Sequence, residues 1–183
     1  YASEDGGLSW ERIPTMPPGD RRKGWPGSIT YLTAVALSSA SRDAFLVGTS
    51  FEGFYETTDR GRTWTDPSTR ARFIDRGAHF FEEIAGISYD PTEPGVITFG
   101  LGFGYGIYRS SADREKHTDL AFPGSVSGEV IRLLQHEPDG ALRVLTDRAV
   151  WRHSAGAWER VGRIDRPPLA LDPARVAATP VVI

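Results

Sequence analysis

Thr57-Thr58-Asp59-Arg60-Gly61-Arg62-Thr63-Trp64 repeats the pattern that opens the chain, Ser3-Glu4-Asp5-Gly6-Gly7-Leu8-Ser9-Trp10. Both stretches read Ser/Thr, x, Asp, x, Gly, x, Ser/Thr, Trp. Each specified residue type has a local physical role. An aspartate closes a turn by accepting backbone N–H groups just ahead of it, glycine supplies positive φ, and the hydroxyls add short-range bonds. The tryptophan is expected to bury a large apolar surface and pin the turn to the layer beneath. Asp5 and Asp59 have no converging partners within the motif, so the pattern reads as turn construction and not as a catalytic or metal site.

Around the second copy the chain reads as a strand over 44–49, a short turn, and a second strand over 53–57 that runs into the motif. The same order returns at 95–110, with glycines 100, 102, 104 and 106 around the turn, and again at 141–152. Aromatic residues lead into each turn at Tyr1, Tyr55, Tyr108 and Trp151, at intervals of 54, 53 and 43 residues. A further strand precedes each hairpin, over 31–37, 84–89 and 130–135. Periods of this size mark a solenoid, a propeller or an array.

The later turns decay. After Tyr108 an aspartate survives at Asp113 with one residue inserted before it, and neither the glycine nor the tryptophan follows. After Trp151 the turn is two residues shorter but keeps Trp158. The repeat unit is therefore four strands, A to D, with the turn motif between C and D. The predicted organisation is a C–D half-unit plus connection over 1–28, full units over 29–83, 84–128 and 129–168, and an A–B half-unit over 169–183.

This pattern resembles the Asp-box, or BNR-repeat, β-propeller superfamily, which includes sialidases, xyloglucan-cleaving glycoside hydrolases, sortilin-type receptors and a photosystem II assembly factor. The resemblance covers the whole chain through the repeat, and the structural Asp-box positions are Ser3, Asp5, Gly7, Ser9, Trp10, Thr57, Asp59, Gly61, Thr63, Trp64, Asp113 and Trp158. It implies an all-β propeller of four-stranded antiparallel blades around a channel, about four of them here, expected as part of a larger propeller, with closure as a four-blade ring through pairing of the two end half-units as the alternative. The chain begins at Tyr1 and not at methionine, and we expect further blades from the same or another chain.

Composition narrows the function. The net charge of −3 gives no support for nucleic acid as the main partner. With no cysteine, thiol and zinc-thiolate chemistry are excluded, and no apolar run approaches the roughly 18 residues of a membrane helix, so no membrane insertion is expected. The histidines His79, His117, His136 and His153 lack metal-ligand spacing, and the glycine run 100–106 opens no helix, so neither a metal nor a cofactor is expected.

In a propeller, the A–B and C–D turns share one face, while the B–C turns and D-to-A connections surround the opposite channel mouth, where binding residues usually sit. The candidate binding residues are therefore Arg21, Arg22, Lys23 and Trp25 in the first long connection, and Arg70, Arg72, Arg76, His79, Glu82 and Glu83 in the second. Phe103 and Tyr105 join them from a B–C turn. Cationic and aromatic side chains together suit a sugar ring or a protein anchor.

The resemblance also raises the enzyme reading. A xyloglucanase-like inverting hydrolase needs two carboxylates roughly 6.5–9.5 Å apart, for which Glu82, Glu83, Asp90 and Asp147 are available, Asp90 lying on the turn-motif face. A sialidase-like site needs three arginines, a Tyr–Glu pair and an acid/base aspartate, and Arg12-Ile13-Pro14 follows a box where the family's Arg-Ile-Pro motif precedes the first one. We expect a non-catalytic, extracytoplasmic (periplasmic or secreted) propeller segment that presents these loops to a protein or glycan. The rival expectation is part of a secreted glycoside hydrolase.

Overall fold

The computed structural model describes residues 1–14, 31–50, 53–65, 83–102 and 106–164. Three antiparallel sheets follow one another along the chain. The first joins β1 (Leu32–Leu37), β2 (Phe45–Thr49) and β3 (Phe54–Thr57). The second joins β4 (Ile84–Tyr89), β5 (Ile97–Leu101), β6 (Gly106–Ser110) and β7 (His117–Asp119). A connection with the short helix α1 (Pro123–Val126) leads to the third, which joins β8 (Ile131–His136), β9 (Leu142–Thr146), β10 (Ala149–Ser154) and β11 (Ala157–Arg163). The repeat predicts no helix here; α1 is a single turn opened by Pro123, whose fixed φ suits a first helical position.

The sheets repeat one another in register. Each A strand carries the same bulge, between Leu32 and Ala34, Ile84 and Gly86, and Ile131 and Leu133. In the first sheet, Thr65 beyond the turn motif pairs back with Glu56, and Ala2 pairs with Glu11 in the same way around the N-terminal copy. The sheets are successive blades of a β-propeller, with β4 packed against β1 on one side and β8 on the other.

The apolar cores are the seams between blades. Leu46 and Phe54 of the first blade meet Ile84, Ile97 and Phe99 of the second, with the Phe54 and Phe99 rings 5.4 Å apart. Ile107 and Phe122 meet Ile131, Leu134, Leu142 and Val144 of the third. Each such side chain contributes about 1.5–3 kcal/mol of burial. Because β2 and β5 are covered on both faces, FLVGT and ITFGL are buried throughout. In β9, Arg143 is exposed between buried neighbours, the alternation of a strand with one covered face.

Glycine sets the seam spacing. A Cβ on Gly48 would lie 2.7 Å from Ile84, and one on Gly100 would lie 2.7 Å from Ile131. The two occupy the same register position on their B strands, where Leu145 stands in the third blade. The next A strand can lie flat on a B strand only where this side chain is missing.

Candidate functional site

The two intact turns are alike bond for bond. Asp59 Oδ1 accepts from the Thr57 hydroxyl at 2.8 Å and from the backbone N–H groups of Arg62 and Thr63 at 3.0 and 2.8 Å, while Oδ2 accepts from the Thr63 hydroxyl at 2.7 Å. Gly61 N–H donates to the Thr57 hydroxyl at 2.8 Å. Around Asp5 the same roles fall to Ser3, Gly7 and Ser9, at 2.7–2.9 Å. Donors from Ser9 and then Ser3 hold the Asp5 carboxyl at about 2, below its ordinary 3.8, and donors from Thr63 hold Asp59 at about 2. Both are permanently ionised acceptors inside their own turns.

The tryptophans differ. Trp64 packs edge-on against Phe45 at 5.4 Å and joins a cluster with Val47, Tyr55 and Ile13. Trp10 is 62 % exposed and donates its indole N–H to Gly7 O at 3.0 Å. This corrects the expectation of a buried ring in both copies: among the described residues, the first copy has no sheet of its own beneath it.

The decayed turns use other means. Asp113 accepts from the Ser111 hydroxyl and from Glu115 N–H. Arg114, 3 % exposed, donates to Gly95 O and Ser111 O and pairs with Glu56 of the preceding blade at 3.0 Å. His117 packs edge-on to Phe99 at 5.6 Å, and burial, with Arg114 nearby, lowers its pKa to about 4. The last turn is a two-residue hairpin, with positive φ at Ala155 and Gly156. Trp158 reaches the preceding blade instead, donating to Leu120 O at 2.7 Å and packing on Phe122.

At the opposite ends of the blades, carboxylates tie connections down. Asp147 Oδ1 accepts Val130 N–H at 2.9 Å. Glu129, 2 % exposed, accepts from Thr146 at 2.6 Å, Trp151 at 2.9 Å and Ser127 at 3.1 Å. Burial alone raises its pKa, but these three donors outweigh it and hold the carboxyl below the ordinary range. Glu83 lies beside Gly102, whose N–H donates to Glu83 O at 2.8 Å. Arg21, Arg22, Lys23, Trp25, Arg70, Arg72, Arg76, His79, Glu82, Phe103 and Tyr105 lie outside the described residues.

A cleft of about 330 Å³ opens on the turn-motif face, between the second and third blades. Asp90 forms its back wall, 7 % exposed, accepting from Thr92 and pairing with Arg109 at 3.0 Å. Burial opposes its charge, yet Thr92 and Arg109 outweigh that and depress its pKa. Arg109 also pairs with Glu93 at 2.7 Å. His136 stands behind, 3.3 Å from the Thr98 hydroxyl and 4.0 Å from Asp90, and burial lowers its pKa more than Asp90 raises it. Across the opening are Asp139, His153 and Ser154. The sequence reading placed function on the other face and passed over this cleft. Its only written signal was the acid-rich composition of the turns at 90–95 and 137–140.

Among the described residues, no group of three or more His, Asp or Glu side chains is arranged to hold a metal ion, and no helix is long and apolar enough to cross a membrane. No protein-family model matches the chain, and no curated protein sequence does. Solved structures do match. The GH74 enzyme of Niastella koreensis superposes with a TM-score of 0.57 at 16 % identity, over 71 % of this chain and 21 % of that one. YCF48 bound to D1 peptide gives 0.55 at 18 %, over 86 % and 46 %. An extracellular domain from B. thetaiotaomicron gives 0.54 at 18 %, over 74 % and 17 %. These neighbours are β-propellers, and the chain spans less than half the length of each.

Proposed function

We propose that the chain is part of an Asp-box β-propeller that works as a non-catalytic, extracytoplasmic scaffold, binding a protein or glycan through its D-to-A connections and B–C turns. The observation that carries this reading is the use of carboxylates at the channel-side ends of the blades. Glu129 and Asp147 are engaged in fastening connections to strands, which makes a rigid rim. The sequence connections between repeat units at 15–30 and 66–82 are rich in Arg, Lys and aromatic residues. The net positive charge of 15–30 suits an acidic peptide, while the arginines of 66–82, balanced there by Asp66, Asp75 and Glu82, suit a glycan bearing acceptor groups. Likeness to YCF48 bound to D1 peptide, over 86 % of this chain, supports a protein ligand.

Membership in a secreted glycoside hydrolase is the second reading, favoured by the likeness to the GH74 enzyme. The two separate in one experiment. The protein is incubated with xyloglucan and with a sialoside, release of reducing ends or sialic acid is followed, and binding of xyloglucan and of an acidic peptide array is measured in parallel. The scaffold reading expects binding without turnover, lost when Arg21, Arg22, Lys23 and Trp25 are changed together to Ala. Turnover would overturn it.

A further inference from the structure

We propose that the cleft on the turn-motif face is a second binding site, for a single neutral, polyhydroxylated ring such as a terminal sugar residue. It lies on the face opposite the loops of the proposed scaffold function and does not depend on them.

The ligand class follows from the state of the lining groups. Each fully charged side chain in the wall is already half of an ion pair: Arg109 with Asp90 and Glu93, and Asp139 with Arg152 at 2.8 Å. An anion or a cation would have to displace a partner already in place, at the cost of leaving that partner unpaired. The histidines add no charge near neutrality, because burial lowers the pKa of both His136 and His153.

Hydrogen-bonding capacity nevertheless remains. Arg109 engages both carboxylates through Nη2, leaving its other guanidinium donors. Glu93 uses Oε1 for its pair with Arg109, and its side chain is 58 % exposed. The Ser154 hydroxyl accepts from Arg152 and still holds a proton to donate, and the His153 ring makes no hydrogen bond among the described residues. Donors and acceptors therefore face the cleft from both blades. A hydroxyl does both, so adjacent hydroxyls on a ring can satisfy a paired arginine and carboxylate together without disturbing the pair. Leu120 and Ala155 supply apolar surface for the C–H face of such a ring. The volume is near the lower end of the roughly 300–1,000 Å³ of small-molecule sites, enough for one ring and not for an extended chain.

The test is a titration of the isotope-labelled chain, followed by NMR, with neutral sugars (glucose, galactose, xylose, N-acetylglucosamine), with inorganic phosphate and a diamine as charged probes. At least one neutral sugar should give saturable shifts at Thr92, Glu93, the Arg109 guanidinium and His153, with neither charged probe doing so. Glu93→Lys, at an exposed position, should weaken that binding about tenfold, the loss of one charge-assisted hydrogen bond. Ser154→Phe, which places a ring in the opening, should abolish it at unchanged melting temperature. Should Ser154→Phe fail to fold, Glu93→Lys decides alone. The proposal is overturned if no sugar shifts these residues, if Glu93→Lys binds as the parent does, or if phosphate or the diamine produces the response.

Discussion

The turn after β3 and the turn after β6 do the same mechanical work with different chemistry. In the first, one carboxylate gathers four donors from the Thr57 and Thr63 hydroxyls and the Arg62 and Thr63 amides, and the exposed Arg60 reaches out of the turn to Asp43 and to Glu4 of the preceding copy. In the second, Asp113 gathers fewer, and a buried arginine binds the turn to Gly95 O and to Glu56 of the neighbouring blade. What survives in both is a backbone feature: the residue after each aspartate has positive φ, 61° at Arg60 and 65° at Arg114, as Gly6 has at 74°. The motif specifies a backbone path, and when its side chains are lost, contacts across the seam can hold the same path. Both turns reach the preceding unit through the residue after the aspartate, Arg60 to Glu4 in the open and Arg114 to Glu56 in the interior, and only the second is made dependent on a buried contact.

That dependence can be broken on purpose. Arg114→Met should have the largest effect, destabilising by about 3 kcal/mol because it takes the side-chain donor from Gly95 O and the countercharge from Glu56, which keeps only the Tyr89 hydroxyl; chemical denaturation reads it directly. Trp64→Ala should cost roughly 2 kcal/mol, below the 3–5 of a fully buried aromatic, while Trp10→Ala, at its exposed position, should stay within about 0.5 kcal/mol. Gly48→Val should cost roughly 1–3 kcal/mol by driving a side chain into Ile84, whereas Leu145→Val at the matching position in the third blade should cost less.

The smallest effects are in pH. A group whose folded pKa is depressed loses its stabilising contribution as pH falls from its unfolded to its folded value. For His117 that window runs from 6.5 down to about 4, and for Asp59 from 3.8 down to about 2. Thermal melts across pH should show stability falling first in the His117 window, beside the turn after β6, and His117→Phe should flatten the slope in that upper window alone.

The repeat was legible because turn chemistry and strand patterning are local. Asp59, Gly61 and Thr63 bond within eight residues, and the buried runs of β2 and β5 announce themselves as unbroken apolar text. The burial of Arg114 and Glu129 was not legible, since an arginine between Asp113 and Glu115, or a glutamate after Gly128, reads as solvated surface until the fold covers it. The cleft was hidden for the same reason: Asp90, Arg109 and His153 belong to turns and strands far apart in sequence, and only blade packing brings them to one cleft. The exposure of Trp10 was equally invisible, because its motif matches that of Trp64 and only the underlying sheet differs.

The central claim, that the motif aspartates are fasteners and not reactive groups, is tested most directly by titrating the side-chain carboxyl carbons of Asp5 and Asp59 by NMR. Both should titrate with midpoints of about 2, each as a single group tied to its own turn. A midpoint for either at or above the ordinary 3.8, as for a carboxyl poised to exchange a proton, would contradict the account.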